Sequence, residues 1–88
     1  MRKLVLITSE SCPPCKRFKE TVWDAQIVPK ADAAKIEHVP VEGNFARVKQ
    51  WRVTKAPCVL LVQGETVVAR FVGSAMPPVP ELLRWLEG

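Results

Sequence analysis

Eighty-eight residues are enough for one domain with one core and too few for two. With 48% hydrophobic and 25% charged residues, the chain has the balance of an ordinary globular protein, so disorder is excluded as its default state. Its net charge of +4 comes from lysines and arginines spread from Arg2 to Arg84 without a run of five. That pattern reads as a solvated basic surface and lacks the basic stripe with interleaved aromatics that nucleic-acid binding requires.

Met1-Arg2-Lys3 is basic and precedes Leu4-Val5-Leu6-Ile7. Four apolar residues fall short of the roughly seven to fifteen of a secretory core. No segment approaches the roughly twenty that span a bilayer. A cytoplasmic location without membrane association is expected. The apolar run reads as a strand buried on both faces. Thr8-Ser9-Glu10-Ser11 breaks it with capping residues, and Pro13 and Pro14 suit the first turn of a helix, where a missing N–H costs little. Phe18, Val22, Trp23 and Ile27 follow at spacings near three to four, predicting a helix from about Pro13 to Ala25 that Pro29 closes.

Ile36-Glu37-His38-Val39-Pro40-Val41 alternates with period two, and Pro40, having no N–H, marks it as an edge strand. Glu42-Gly43-Asn44 reads as a turn with Asn44 as N-cap. Phe45, Val48 and Trp51 then recur every three residues on one short helix. After Val53-Thr54-Lys55-Ala56-Pro57, Cys58 to Val62 and Thr66 to Val72 form a hairpin about Gln63-Gly64-Glu65. Gly73 and Pro77-Pro78-Val79-Pro80 lead to a last amphipathic helix carrying Leu82, Leu83, Trp85 and Leu86. There is no repeat and no linker, so residues 1–88 read as one α/β domain of order β-α-β-α-β-β-α. Trp23, Trp51 and Trp85 each fall on the apolar face of a helix, where core packing is the expected role. Arg47, Lys49, Arg52 and Lys55 cluster before Pro57, either as a solvated face or as a docking patch for an acidic partner.

The strongest chemical signal is Cys12-Pro13-Pro14-Cys15, set between a buried strand and a helix start. Residues three apart lie on one face of the first helical turn, so the two sulfurs can reach disulfide distance with little backbone movement. Cys12 would sit at the positive helix end, where N–H groups favour the thiolate, the only form that attacks a disulfide. Lys16 adds charge in the same direction. Three cysteines, two of them so close, do not suit a secreted disulfide scaffold. The competing chemistry is zinc, for which Cys58 and His38 would complete a Cys3His set. No second close pair is present, and two intervening prolines are unusual for a zinc knuckle.

On these residues the chain resembles the thioredoxin superfamily, as a small thioredoxin-like or glutaredoxin-like member. Cys12-Pro13-Pro14-Cys15 follows the first strand, Ala56-Pro57 precedes the third, and Val72-Gly73 ends the fourth. Val41-Glu42-Gly43-Asn44 with Val48 to Val53 also looks like the stretch leading to that family's cis-proline. The resemblance implies a minimal thioredoxin fold, a four-stranded mixed sheet flanked by three helices. It implies a cis bond at Ala56–Pro57 packed against the cysteine pair. It also implies a substrate-binding edge at Ala56, Pro57 and Gly73, with Ala56 offering backbone hydrogen bonds to an extended segment. Pro13, Pro14, Lys16 and Pro57 support the site. Cys12 is the expected nucleophile and Cys15 the resolving thiol, with no cofactor beyond that redox pair.

Several positions depart from the family pattern. Ser11 stands where a tryptophan usually precedes the first cysteine. Leu6 stands where a buried aspartate accepts the second cysteine's proton, and His38 falls near the lysine that partners this aspartate. Deprotonation of Cys15 is then left to water, His38 or the substrate, although His38 also reads as a solvated side chain on a polar strand face. Around Gly73 the two glycines and the aspartate that hold glutathione in glutaredoxins are missing. Cys58 reads as a small core cysteine or, more sharply, as a third redox thiol near the pair. The implied activity is reduction of protein disulfides by a monomer, recharged by a reductase or by glutathione. The alternative class is a non-catalytic binding module of the same fold whose cysteine pair is structural or holds zinc.

Overall fold

The computed structural model describes residues 1–87. Strand β1 (Arg2–Thr8) is the apolar run of the sequence, buried from Leu4 onward on both faces. It lies at the centre of a four-stranded sheet of order β2-β1-β3-β4, with β2 (Ile36–Pro40), β3 (Cys58–Gln63) and β4 (Thr66–Val72). β1 runs parallel to β2, pairing Leu6 with His38 and Thr8 with Pro40, and antiparallel to β3, pairing Ile7 with Cys58. β2 is an edge strand, as Pro40 requires. Gly64, at φ +62°, turns the β3–β4 hairpin.

Alternation along β1 and β3 divides the core in two. Leu4, Leu6, Val59 and Leu61 pack with Trp23, Ile27, Leu82 and Leu86 on one face. Val5, Ile7, Cys58, Leu60 and Val62 pack with Val39 and Val48 on the other. Helices α1 (Pro13–Phe18) and α3 (Val79–Leu86) cover the first face, and α2 (Phe45–Gln50) covers the second. This is the β-α-β-α-β-β-α architecture expected from the sequence, an α/β sheet flanked by three helices.

Four local features differ from the expectation. The first helix does not stop at Ala25: past Phe18 it widens into a π-helical stretch, Lys19–Ile27, with Val28 N–H bonded to Trp23 O at 2.9 Å. Turns closed by such i→i+5 bonds bring Phe18, Trp23 and Ile27, five and four residues apart, onto the sheet together. On α2, Phe45 is 67% exposed. A strict three-residue spacing drifts about 60° round the helix per step. Val48 therefore faces the core, while Phe45 and Trp51 diverge to either side of it. Asn44 occupies the N-cap position but makes no capping bond; its Nδ2 donates to Pro40 O at 2.8 Å and ties the turn to β2 instead. Finally, Val68 is an exposed apolar residue inside β4 because the register slips there, Val62 facing Val67 while Leu61 faces Ala69.

Of the three tryptophans, Trp23 is buried. Trp51 and Trp85 are half-buried, the latter 5.3 Å from the Phe71 ring. Helix α2 ends in a Schellman arrangement: Arg52 N–H bonds Lys49 O and Val53 N–H bonds Val48 O, with Arg52 at φ +58°.

The basic cluster is partly spoken for. The Arg47 guanidinium donates to both carboxylate oxygens of Glu37, at 2.8 and 3.1 Å, and lies over the Trp51 ring. Lys3 donates to Glu37 from β1 at 2.9 Å. The Arg47 hydrogen bond, opposed by some burial and joined by that of Lys3, holds the Glu37 carboxyl at about 2 against an ordinary 4.5. A depressed carboxyl pKa stabilises the fold above the unfolded value and loses that contribution as pH falls. Glu37→Gln is therefore expected to cost up to about 1 kcal/mol at pH 7, the scale of an exposed pair. The deficit shrinks between pH 4.5 and 2 and is gone below it. Urea unfolding of both proteins across that range checks this; a deficit that persists at pH 2 would assign it to packing.

Candidate active site

Three segments meet at one end of the sheet. β1 ends at Thr8 and leads into the cysteine loop, β3 begins at Cys58 directly after Pro57, and β4 ends at Val72, paired with Cys58, so that Gly73 lies beside Pro57. The Ala56–Pro57 bond is cis, and Pro57 is buried. Gly73 is exposed with φ +56°, in the left-handed region that glycine adopts without strain.

Cys12 is the N-cap of α1, and Pro13 and Pro14 take the first helical positions, as the sequence implied. The two cysteine sulfurs are at disulfide distance, with Cα atoms 5.3 Å apart. The pair is asymmetric. Cys12 is partly open to solvent, while Cys15 is 1% exposed. Cys12 Sγ accepts a hydrogen bond from Cys15 N–H at 3.2 Å and lies 3.7 Å from the carbonyl oxygen of Ala56. An N–H aimed at the outer sulfur favours negative charge there, and the Ala56 contact places the backbone before Pro57 against that same sulfur.

A family model for the thioredoxin-like domain matches residues 1–88. The chain belongs to the thioredoxin-like domain family. Among solved structures it is similar to a thioredoxin pre-protein of Schistosoma mansoni, at 16% identity and TM-score 0.75, covering 98% of this chain and 76% of that one. Thioredoxin 1 of Thermosipho africanus matches at 21% identity and TM-score 0.67, covering 97% and 90%. A thioredoxin of Thermus thermophilus matches at 23% identity and TM-score 0.68, covering 98% and 71%. At such identities these neighbours establish the fold. No curated protein sequence matches.

Two openings flank the cysteines of this thioredoxin-like domain. One is a cleft of about 220 Å³ lined by Thr8, Ser9, Glu10, Cys15, Lys16, Lys19, His38, Pro40 and Glu42, and it reaches the inner cysteine. The other is a groove of about 290 Å³ lined by Val41, Val48 and Val53 together with Ser9, Thr54, Lys55 and Ala56. Lys55 thus belongs to the site, unlike Arg47, which is committed to Glu37.

His38 does not lie free on a polar strand face. It is on the α1 side of β2, and its Nε2 is 2.7 Å from Thr8 Oγ1. Burial, and then the Lys19 ammonium, lower its pKa below 6.5, with Asp24 acting the other way. Cys58 is buried on the opposite face of the sheet, packed with Val5, Ile7 and Leu60. Burial pushes its thiol pKa up, away from thiolate chemistry. With Cys58 and His38 on opposite faces, the Cys3His arrangement is not assembled. No cluster of three or more metal-ligating side chains occurs among the described residues. Nor is any helix among them long and apolar enough to cross a membrane.

Two residues of the site escaped the sequence reading. Glu42, which the sequence places in a turn and in the stretch leading to Pro57 without a role of its own, accepts from Ser9 Oγ and from Glu10 N–H, both at 3.2 Å, and so clamps the loop that carries Cys12. Backbone N–H groups, first its own and then that of Glu10, hold its carboxyl below the usual range. Thr8 is the other; nothing in its local pattern marks a strand-end threonine as the partner of a histidine thirty residues away.

Proposed function

We propose that this chain is a thiol–disulfide oxidoreductase that reduces disulfides in protein substrates. The observation that carries the reading is the asymmetry of the cysteine pair: an accessible sulfur with a backbone N–H aimed at it, and a buried partner within bonding distance. In the first step the Cys12 thiolate attacks one sulfur of the substrate disulfide. A Cys12–substrate bond forms, the substrate S–S bond breaks, and the freed thiolate takes a proton. In the second step the Cys15 thiolate attacks Cys12 Sγ, the mixed disulfide breaks, and the second substrate thiolate leaves and is protonated. The substrate gains two electrons and two protons, and Cys12–Cys15 is left oxidised.

An extended substrate segment would lie along Ala56, Pro57 and Gly73, pairing with backbone as an added strand. The valine-lined groove beside Ala56 suits an apolar side chain of that segment. Recharging by a dithiol reductase or by glutathione, and a cytoplasmic setting, complete the proposal.

The test is the reduction potential, read by equilibrating the protein in glutathione buffers and trapping free thiols. A reversible two-electron couple is expected. A potential near about −270 mV marks a general reductant, whereas one near about −200 mV marks exchange of the glutaredoxin kind. If no reversible couple forms, the proposal fails.

A further inference from the structure

Resolution of the mixed disulfide needs Cys15 as a thiolate, yet its sulfur is buried and the family's aspartate position holds Leu6, itself fully buried. The cleft beside Cys15 contains the side chains that can take its proton. Glu42 is a poor acceptor, because N–H groups and the Ser9 hydroxyl stabilise its charged form. Glu10 is exposed, and its carboxylate is held by solvent at the mouth of the cleft. Lys16 and Lys19 are cations, the latter paired with Asp24 at 2.8 Å. The imidazole of His38 is the one base lining the cleft whose ordinary pKa lies near neutrality, where a proton acceptor works best.

Its placement is built. β1 and β2 are in register with Leu6 opposite His38, which directs the imidazole toward α1 and the stretch bearing Lys19 and Asp24. Thr8 is the one buried polar side chain among the described residues, and its hydroxyl holds His38 Nε2. At about 220 Å³ the cleft has room for water between these groups and Cys15.

We infer that His38, anchored by Thr8, accepts the proton of Cys15 in the resolving step through the cleft they share. The inference rests on the oxidoreductase reading. In the tautomer that carries its proton on Nδ1, His38 Nε2 takes the proton of Thr8 Oγ1, which regains one from the Cys15 thiol, directly or through a cleft water. Cys15 Sγ then bonds to Cys12 Sγ, the Cys12–substrate bond breaks, and the departing thiolate is protonated. The imidazolium returns its proton to solvent, so no electron moves beyond those of the exchange. The charged groups facing His38 are Lys19 and Asp24 from the π-helical stretch, Lys16 from α1, and Glu10 and Glu42 from the loops. Burial and Lys19 keep the imidazole neutral, and hence able to accept, at pH 7.

The experiment uses reduced protein in excess over dithiobis-nitrobenzoate in a stopped-flow instrument. One thionitrobenzoate is released when Cys12 attacks and a second when Cys15 resolves. In His38→Gln the ratio of second-phase to first-phase rate is expected to fall about a hundredfold at neutral pH, the low end of general-base assistance. The gap should narrow as pH rises and the thiolate forms unaided. His38→Ser, which removes the base without leaving an amide for Thr8, must behave alike. A ratio unchanged at neutral pH, a fall that is equal at every pH, or a fall in only one variant overturns the inference. Absence of a second phase from the unsubstituted protein would instead overturn the disulfide cycle itself.

Discussion

Replacing Cys12 by serine is expected to cut disulfide reduction more than about a hundredfold, to the rate of exchange without protein, because only a thiolate attacks a disulfide sulfur. Replacing Cys15 by serine should have a different signature. The outer sulfur still attacks, but nothing resolves the product, so the protein accumulates as a mixed disulfide with its substrate. Cys58 cannot stand in for Cys15, since it is buried on the other face of the sheet with its thiol pKa raised. Insulin reduction gives the first result, and intact-mass measurement under non-reducing conditions gives the second. The roles are reversed if Cys15→Ser fails to trap while Cys12→Ser does. That outcome would contradict the burial difference on which the mechanism stands.

How far the site was legible in advance depends on how local each signal is. Cys12-Pro13-Pro14-Cys15 announces itself because its parts are four consecutive residues and their chemistry follows from helical spacing. The strands are nearly as plain: a doubly buried strand is an apolar run, an edge strand alternates, and Pro40 names the edge. Pro57 was different. An X-Pro bond is cis in only about 5–6% of cases, so its cis geometry was expected from family resemblance alone, and the structure bears that out.

What escaped was decided by registration between segments. Thr8 meets His38 because two parallel strands align Leu6 with His38, and Glu42 meets the cysteine loop because the turn after β2 folds back on it. Neither distance is written in the spacing of either segment. The misplaced Phe45 has a similar origin, because a three-residue spacing approximates the helical period only over one turn. The π-helical stretch and the slip at Val68 insert or widen by one residue, which periodicity averages away.

A second large effect is expected far from the sulfurs. Trp23 is 2% exposed and lies between the sheet residues Leu4, Leu6, Val59 and Leu61 and the α3 residues Leu82 and Leu86. It therefore fastens the helical segment that begins with the cysteine pair to both of its neighbours. Truncating a buried aromatic removes its transfer free energy and leaves a cavity, costing about 3–5 kcal/mol. A domain of this size has roughly 4–13 kcal/mol in total. Trp23→Ala should thus lower the melting temperature by roughly 12–40 °C, on a scale of about 4–8 °C per kcal/mol for a small domain. Trp51→Ala is the matched control: its ring is half-buried at the side of α2 and covered by Arg47, so it should lose less than half as much. Circular dichroism melts of the two variants decide the matter. Equal losses would mean that the side of the sheet under Trp23 is not the main core. A loss confined to Trp23→Ala would tie the stability of the fold to the segment that positions Cys15.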